Sequence, residues 1–281
     1  MANVWDAMKK HEAEKATEAA AAPPAAPAAS APAGAAPAAA QHDAAAEGDA
    51  AAPIGPVSLN GYAPELVAHH DRGNDLTEEY RRIRTHLLAQ YAEERFCALV
   101  TSAMPTEGKT VTCLNLAFVL SEQQDRRTVI IDADLRKRRF GNMLHINNSP
   151  GLVELLRGSA RLDEVVQATK HNNLFVIPAG PTVPGQVGEM LGRPELDEIV
   201  NELRRRYDYV LFDTPPLTVA PDASILGRVV RDAILVVRMN RTPRESVDRA
   251  IGLLHASNVK PIGIVLTHHR HFIPKALYYH S

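Results

Sequence analysis

The 281-residue chain is poor in the features that announce a secreted, membrane-spanning or nucleic-acid-binding protein. It has two cysteines, Cys97 and Cys113, and both lie inside apolar stretches, which suits buried thiols in a reducing compartment and excludes a disulfide scaffold. No apolar run approaches the about 18 residues needed to cross a bilayer, so membrane association is expected to come from a partner. The first residues lack the apolar core of a secretory signal. Formal charge is only −2, which supplies no basic field and argues against nucleic acid as a partner. No internal repeat is present. Between residues 18 and 53 there is no Leu, Val, Phe or Tyr at all, only an Ala/Pro-dominated run that has nothing to bury. Recurrent proline breaks the helix that alanine favours, so this segment reads as a flexible linker.

What is present falls into three parts: a tail and linker over 1–56, a folded domain over 57–267, and a C-terminal tail over 268–281. The N-terminal stretch "MANVWDAMKKHEAEKATEA" carries the only tryptophan, Trp5, and is either a frayed helical tail or a short peptide that docks on a partner. After the linker, "DLTEEYRRIRTHLLAQY" predicts a helix with Asp75 as N-cap and Glu78 closing a capping box, and Leu76, Tyr80, Ile83, Leu87 and Tyr91 forming its apolar stripe.

Beyond it, six short β-branched runs alternate with helical stretches: "RFCALVTS", "RTVIIDAD", "NLFVIPAG", "YDYVLFDTP", "DAILVVRMN" and "KPIGIVLTH". Between them lie helical candidates that include "LDEVVQA" and "DASILGRVV". Strands apolar on both faces and separated by helices predict an α/β fold, a mostly parallel sheet covered on both sides. In such sheets ligands bind at the carboxyl ends of the strands.

Three motifs fall at those ends. "TSAMPTEGKT" joins the first strand to a helix and closes with Gly108, Lys109 and Thr110, the end of a phosphate-binding loop, although Ala103 stands where the first glycine of G-x-x-x-x-G-K-[ST] belongs. A G-K-[ST] tripeptide alone arises by chance in about one such chain in seven or eight, so context must carry the reading. Backbone N–H groups of the loop and the helix N-terminus make an anion cradle, with Lys109 directed at the outer phosphates and the Thr110 hydroxyl at Mg²⁺. "VIIDADLRKRR" places Asp132 and Asp134 at the same edge, and "VLFDTPP" places Asp213 there. Either Asp132 or Asp213 alone could open a turn; three strand-end acids in order after a G-K-T loop predict a nucleotide site.

This combination resembles the deviant Walker-A ATPases, and within them the bacterial tyrosine kinases that control capsule and exopolysaccharide export. The resemblance covers about residues 75–265 and rests on "SAMPTEGKT", "VIIDADLRKR", "VLFDTPP", "PGLVELLRGSARLDEVV" and "LFVIPAGPTVPG". It implies a P-loop NTPase-type sheet and phosphoryl transfer from Mg²⁺·ATP to a tyrosine hydroxyl. Ala103, Pro105, Thr106, Glu107, Gly108, Lys109, Thr110 and Val111 would hold the nucleotide; Thr110, Asp134 and Asp213 would serve the metal; Lys109, Asp132, Asp134 and Asp213 would be catalytic, with Asp132 the base. Thr106 replaces the family's usual glycine, and a left-handed backbone there would strain a β-branched residue, so Thr106→Gly is expected to tighten ATP binding.

The same resemblance makes Glu78, Arg81 and Arg84 a subunit-association helix in a head-to-tail, ring-closing contact; their local alternative is i,i+3 charge pairing along one helix. It implies a transmembrane polysaccharide chain-length regulator as activator, a cognate tyrosine phosphatase, and a cytoplasmic location against the membrane. The acceptor tail ends "HFIPKALYYHS", leaving Tyr278 and Tyr279 as phosphoacceptors or as a packed aromatic pair. Thr267 stands where the family has an Asn that reads the base. The adjacent His268 and His269 complete no metal shell, and the "LRKRRF" cations are expected to steer ATP or to meet a neighbour's acids. A second reading keeps the fold and the ATP but not the tyrosine kinase activity: a MinD/ParA-like switch or assembly ATPase.

Overall fold

The computed structural model of the chain describes residues 61–91, 95–182 and 185–268. Seven strands form one sheet in the order β3-β4-β2-β5-β1-β6-β7, with β1 Phe96–Ser102, β2 Thr128–Asp132, β3 Gln167–Ala168, β4 Leu174–Ile177, β5 Tyr209–Asp213, β6 Asp232–Arg238 and β7 Lys260–Thr267. Every neighbouring pair is parallel except β3 with β4.

The strands read as unbroken apolar runs because both faces are covered. Cys97 and Leu99 of β1, Val129 and Ile131 of β2, and Val210 and Phe212 of β5 enter one core, whereas Phe96, Ala98, Val100, Ile130, Tyr209 and Leu211 enter the other. This is the period-2 alternation of a pleated strand with no solvent face. The second core is closed by α1 (Val67–His70), α2 (Asp75–Leu88) and α3 (Lys109–Leu120). Along α3 only Val111 escapes burial, so that helix is apolar nearly all round rather than amphipathic. The first core is closed by α5 (Leu152–Leu156), α6 (Leu162–Val165), α7 (Val187–Leu191), α8 (Glu195–Arg206), α9 (Asp222–Val230) and α10 (Arg244–Ala256). The remaining short helix, α4 (Phe140–Leu144), follows β2.

Three local expectations are corrected. The N-cap of α2 is Asn74, whose side chain accepts from the Leu76 N–H at 2.9 Å; Asp75 is the first helical residue. Leu76 is 57% exposed and leaves the apolar stripe, while Leu87 is buried. "LDEVVQA" is not one helix: α6 stops at Val165, and Gln167–Ala168 adds the antiparallel edge strand β3. That seventh strand is too short for periodicity to reveal.

Candidate functional site

In register, Asp132 at the end of β2 lies opposite Asp213 at the end of β5, and β1 runs on the other side of β5. The loop after β1 therefore passes the same edge at which the two carboxylates emerge. Asp132, Asp134 and Asp213 are all buried there, as are Lys109 and Thr110 at the start of α3.

These groups satisfy one another. The Lys109 ammonium donates to Asp134 Oδ2 at 2.8 Å and approaches Asp213 Oδ1 at 3.4 Å. Thr110 Oγ1 donates to Asp213 Oδ2 at 2.7 Å. Burial alone would lower the pKa of Lys109, but Asp213 and Asp134 beside it hold it above its ordinary value, so the lysine is firmly charged. Asp213 is pushed upward by burial, against Lys109 and Thr110. Asp132 is raised well above the carboxylate range, first by burial and then by Asp213. Its Oδ2 accepts from the Phe140 N–H at 3.0 Å, whereas Oδ1 is buried with no hydrogen-bond partner among the described residues.

The loop itself is fastened from a distance. Thr106 has φ +64° and Gly108 φ +90°, so a threonine occupies a left-handed position two residues before the glycine that also adopts one. The Glu107 side chain turns inward and is 2% exposed. Its Oε2 accepts from the Met104 N–H at 2.6 Å, and its Oε1 accepts from the Arg238 N–H at 3.4 Å and from the Thr242 hydroxyl. Thr267, at the end of β7, donates to the Glu107 carbonyl at 2.8 Å. The Glu107 carboxylate is thus taken up within the fold, and Thr267 supports the loop through the Glu107 carbonyl. Ala103 is buried, and its carbonyl accepts from the Thr218 hydroxyl at 2.5 Å. Pro105 and Thr106 lie exposed on the loop, and Val111 is half-buried in the first turn of α3.

Next to Asp134, Arg136 makes a two-pronged pair with the buried Asp222, Nε to Oδ2 at 3.0 Å and Nη2 to Oδ1 at 3.1 Å. On α2, Arg81 and Arg84 both engage Glu122, Arg81 through Nη2 at 2.6 Å and Arg84 through Nη1 at 3.1 Å; Glu78 pairs with Arg81. The sequence singled out neither Asp222 nor Glu122. Tyr278 and Tyr279 lie outside the described residues.

The donor set fits a magnesium–nucleotide complex. Mg²⁺ prefers hard oxygen ligands and is usually held by one or two carboxylates together with substrate phosphates, not by an all-protein cage. Thr110, Asp134 and Asp213 supply such oxygens, and among the described residues no group of three His, Cys, Asp or Glu side chains forms a cage. Asp132 Oδ1 leaves a buried polar atom with no partner among the described residues.

A parallel sheet with a G-K-T loop opening a central helix, and acids at the ends of the two adjoining strands, defines a P-loop NTPase. Residues 106–237 match the model of a family described as an AAA domain. Tyrosine-protein kinase YwqD of Bacillus subtilis (strain 168) is 35% identical over 191 residues, covering 68% of this chain and 80% of YwqD. Putative tyrosine-protein kinase CapB of Staphylococcus aureus is 31% identical over 202 residues, covering 72% and 88%. The solved kinase domain of Escherichia coli tyrosine kinase ETK superposes with a TM-score of 0.68 at 29% identity, covering 76% of this chain and 84% of that domain. The chain belongs to the bacterial tyrosine-protein kinase family.

Proposed function

We propose that the chain is an ATP-dependent protein-tyrosine autokinase whose acceptors are Tyr278 and Tyr279. The observation that carries the proposal is the buried constellation of Lys109, Thr110, Asp132, Asp134 and Asp213. The bond from the γ-phosphorus to the bridging oxygen of ADP breaks, a bond from phosphorus to the phenol oxygen forms, and the phenol proton passes to the free Oδ1 of Asp132. Tyrosine has a pKa near 10, so proton removal needs a positioned base, and the buried Asp132 Oδ1, without a partner among the described residues, is one. Lys109 exchanges its carboxylate partners for the outer phosphates. Thr110, Asp213 and Asp134 would hold Mg²⁺, which when bound would supply the positive charge that offsets charge on the transferring phosphoryl group.

The tail acceptors follow from the family resemblance, and the other five tyrosines are engaged within the fold. Of the seven tyrosines, Tyr62, Tyr207 and Tyr209 are buried. Tyr91 donates to Asp232 at 2.7 Å, and Tyr80 packs half-buried on the second core. Tyr278 and Tyr279 lie outside the described residues.

On the family resemblance, the kinase acts in polysaccharide synthesis or export, with a membrane chain-length regulator as activator, head-to-tail self-association and a phosphatase that resets it. Among the described residues no helix is long and apolar enough to cross a membrane. Purified protein incubated with Mg²⁺·ATP and read by intact mass and peptide mapping is expected to carry phosphate on Tyr278 or Tyr279, and to lose it in Lys109→Met. ATP binding or hydrolysis without phosphotyrosine, even with the membrane partner added, would instead identify the switch ATPase.

A further inference from the structure

The loops that follow the parallel strands separate their charges by sign. Every acid there is buried: Glu107 after β1, Asp134 after β2, and the strand-end Asp132 and Asp213. The exposed charges are all cations, Arg136, Lys137, Arg138 and Arg139 after β2 and Arg241 after β6. The loops after β4 and β5 carry no Asp, Glu, Lys or Arg at all. Exposed acids return only in the flanking helices, as at Glu245 in the first turn of α10.

Within this cationic mouth the cations differ. Arg136 is neutralised by Asp222, whereas Lys137, Arg138 and Arg139 make no ion pair or side-chain hydrogen bond among the described residues. They are nonetheless held in place: the Lys137 and Arg138 N–H groups both donate to the Asp134 carbonyl, at 3.0 and 2.9 Å, and Arg138 sits at φ +46°. The turn bearing three free cations is therefore built on the residue that grips Lys109. The chain's own acceptor tail is a poor electrostatic match. Residues 268–281 contain no Asp or Glu and carry Arg270, Lys275 and four histidines. A surface of one sign at a site entrance attracts the opposite sign and suppresses its own.

We propose that Lys137, Arg138 and Arg139 form a docking rim for an acidic, tyrosine-bearing segment of a second protein. This inference rests on the kinase reading above and adds to it an external substrate class distinct from the tail. Phosphoryl transfer is the same reaction, with ADP leaving and the external phenol's proton passing to Asp132.

The test uses the full chain, Mg²⁺·ATP, and two tyrosine peptides of equal length, one flanked by Glu and one by Ser. Their Tyr→Phe forms, labelled for anisotropy, read docking without chemistry. The Glu-flanked peptide is expected to bind about tenfold tighter at low salt, and the preference is expected to fall to about twofold at about 0.5 M salt. The variant Lys137→Ser/Arg138→Asn/Arg139→Ser, with Asn chosen because it tolerates a positive φ, is expected to lose the preference while the KM for ATP and tail phosphorylation stay within about twofold. Equal binding of the two peptides by the parent chain would overturn the proposal, as would a variant whose ATP affinity falls as far as its peptide affinity. Docking preference without phosphotyrosine on any acceptor would retain the rim and reject the kinase.

Discussion

Thr106→Gly probes the strain in the phosphate loop directly. At φ +64° a β-branched residue occupies the left-handed region, which carries a penalty of about 1–2 kcal/mol for an L-residue. Glycine removes that penalty but returns about 0.5–1 kcal/mol through the greater freedom of the unfolded chain. The net relief is about 1 kcal/mol in favour of the conformation seen here. It must appear in one of two places. To the extent that the loop leaves this conformation when empty, the relief appears as affinity, with a ceiling of about fivefold in Kd. To the extent that the Glu107 anchors hold the loop throughout, it appears as stability.

Two measurements on each protein separate these routes: titration with a fluorescent ATP analogue and thermal unfolding without nucleotide. The expected result is a lower Kd, up to the fivefold ceiling, with Tm unchanged or raised. Thr106→Asn should recover part of the gain, because Asn tolerates this region better than Thr does. Thr106→Ala should recover little. A glycine variant with neither tighter binding nor higher Tm would refute the strain argument, because the relief has no third destination.

Glu107→Gln would place an amide among three donors, and is expected to lower stability by about 1–3 kcal/mol and to weaken ATP binding, read by denaturant unfolding and nucleotide titration. Glu122→Gln removes the charge shared by Arg81 and Arg84; it should lower stability by about 1 kcal/mol and free both arginines for a neighbouring subunit, so sedimentation velocity should show more assembly at equal concentration. Less assembly would mean that the pair acts by fixing α2. His69 lies 2.9 Å from His171, Nδ1 to Nε2, and is held at about 4 against an ordinary 6.5, first by burial and then by His171, His70, Lys170 and Arg72. The unfolded chain takes up a proton as pH falls through 6.5, but the fold resists until about 4, so stability should be intact above 6.5 and decline between those values. With screening at a part-exposed ring the loss is about 1 kcal/mol, and His69→Gln should flatten the profile in urea unfolding at several pH values.

The chemistry was legible in the sequence because it is local. Lys109, Thr110, Asp132 and Asp213 end a strand or begin the next helix and Asp134 lies two residues past its strand end, and once the strands are parallel their ends must meet at one edge. What the sequence hid is fastening over long separations. Glu107 finds Thr242 135 residues away and its carbonyl meets Thr267 160 residues away, while Arg136 closes on Asp222 across 86. No periodicity or spacing rule connects such partners. The N-cap error at Asp75 has a different cause: Asn74 and Asp75 are both good caps, and only the backbone decides which one lies outside the helix.

These two kinds of information meet in the loop. Ala103 looks like its defect in a motif comparison, yet it is buried beneath the loop and bonded to Thr218. The departure with a physical consequence is Thr106, and it is the residue directly before the anchored Glu107. A strained backbone persists only where its surroundings over-determine it. Three donors on the Glu107 carboxylate and a fourth on its carbonyl meet that condition, so the threonine is tolerated because the next residue cannot move. Loosening Glu107 should therefore move the benefit of Thr106→Gly from stability toward affinity: in Glu107→Gln the empty loop is free to relax, and the two substitutions should combine non-additively in both measurements, as expected for residues that share one backbone segment.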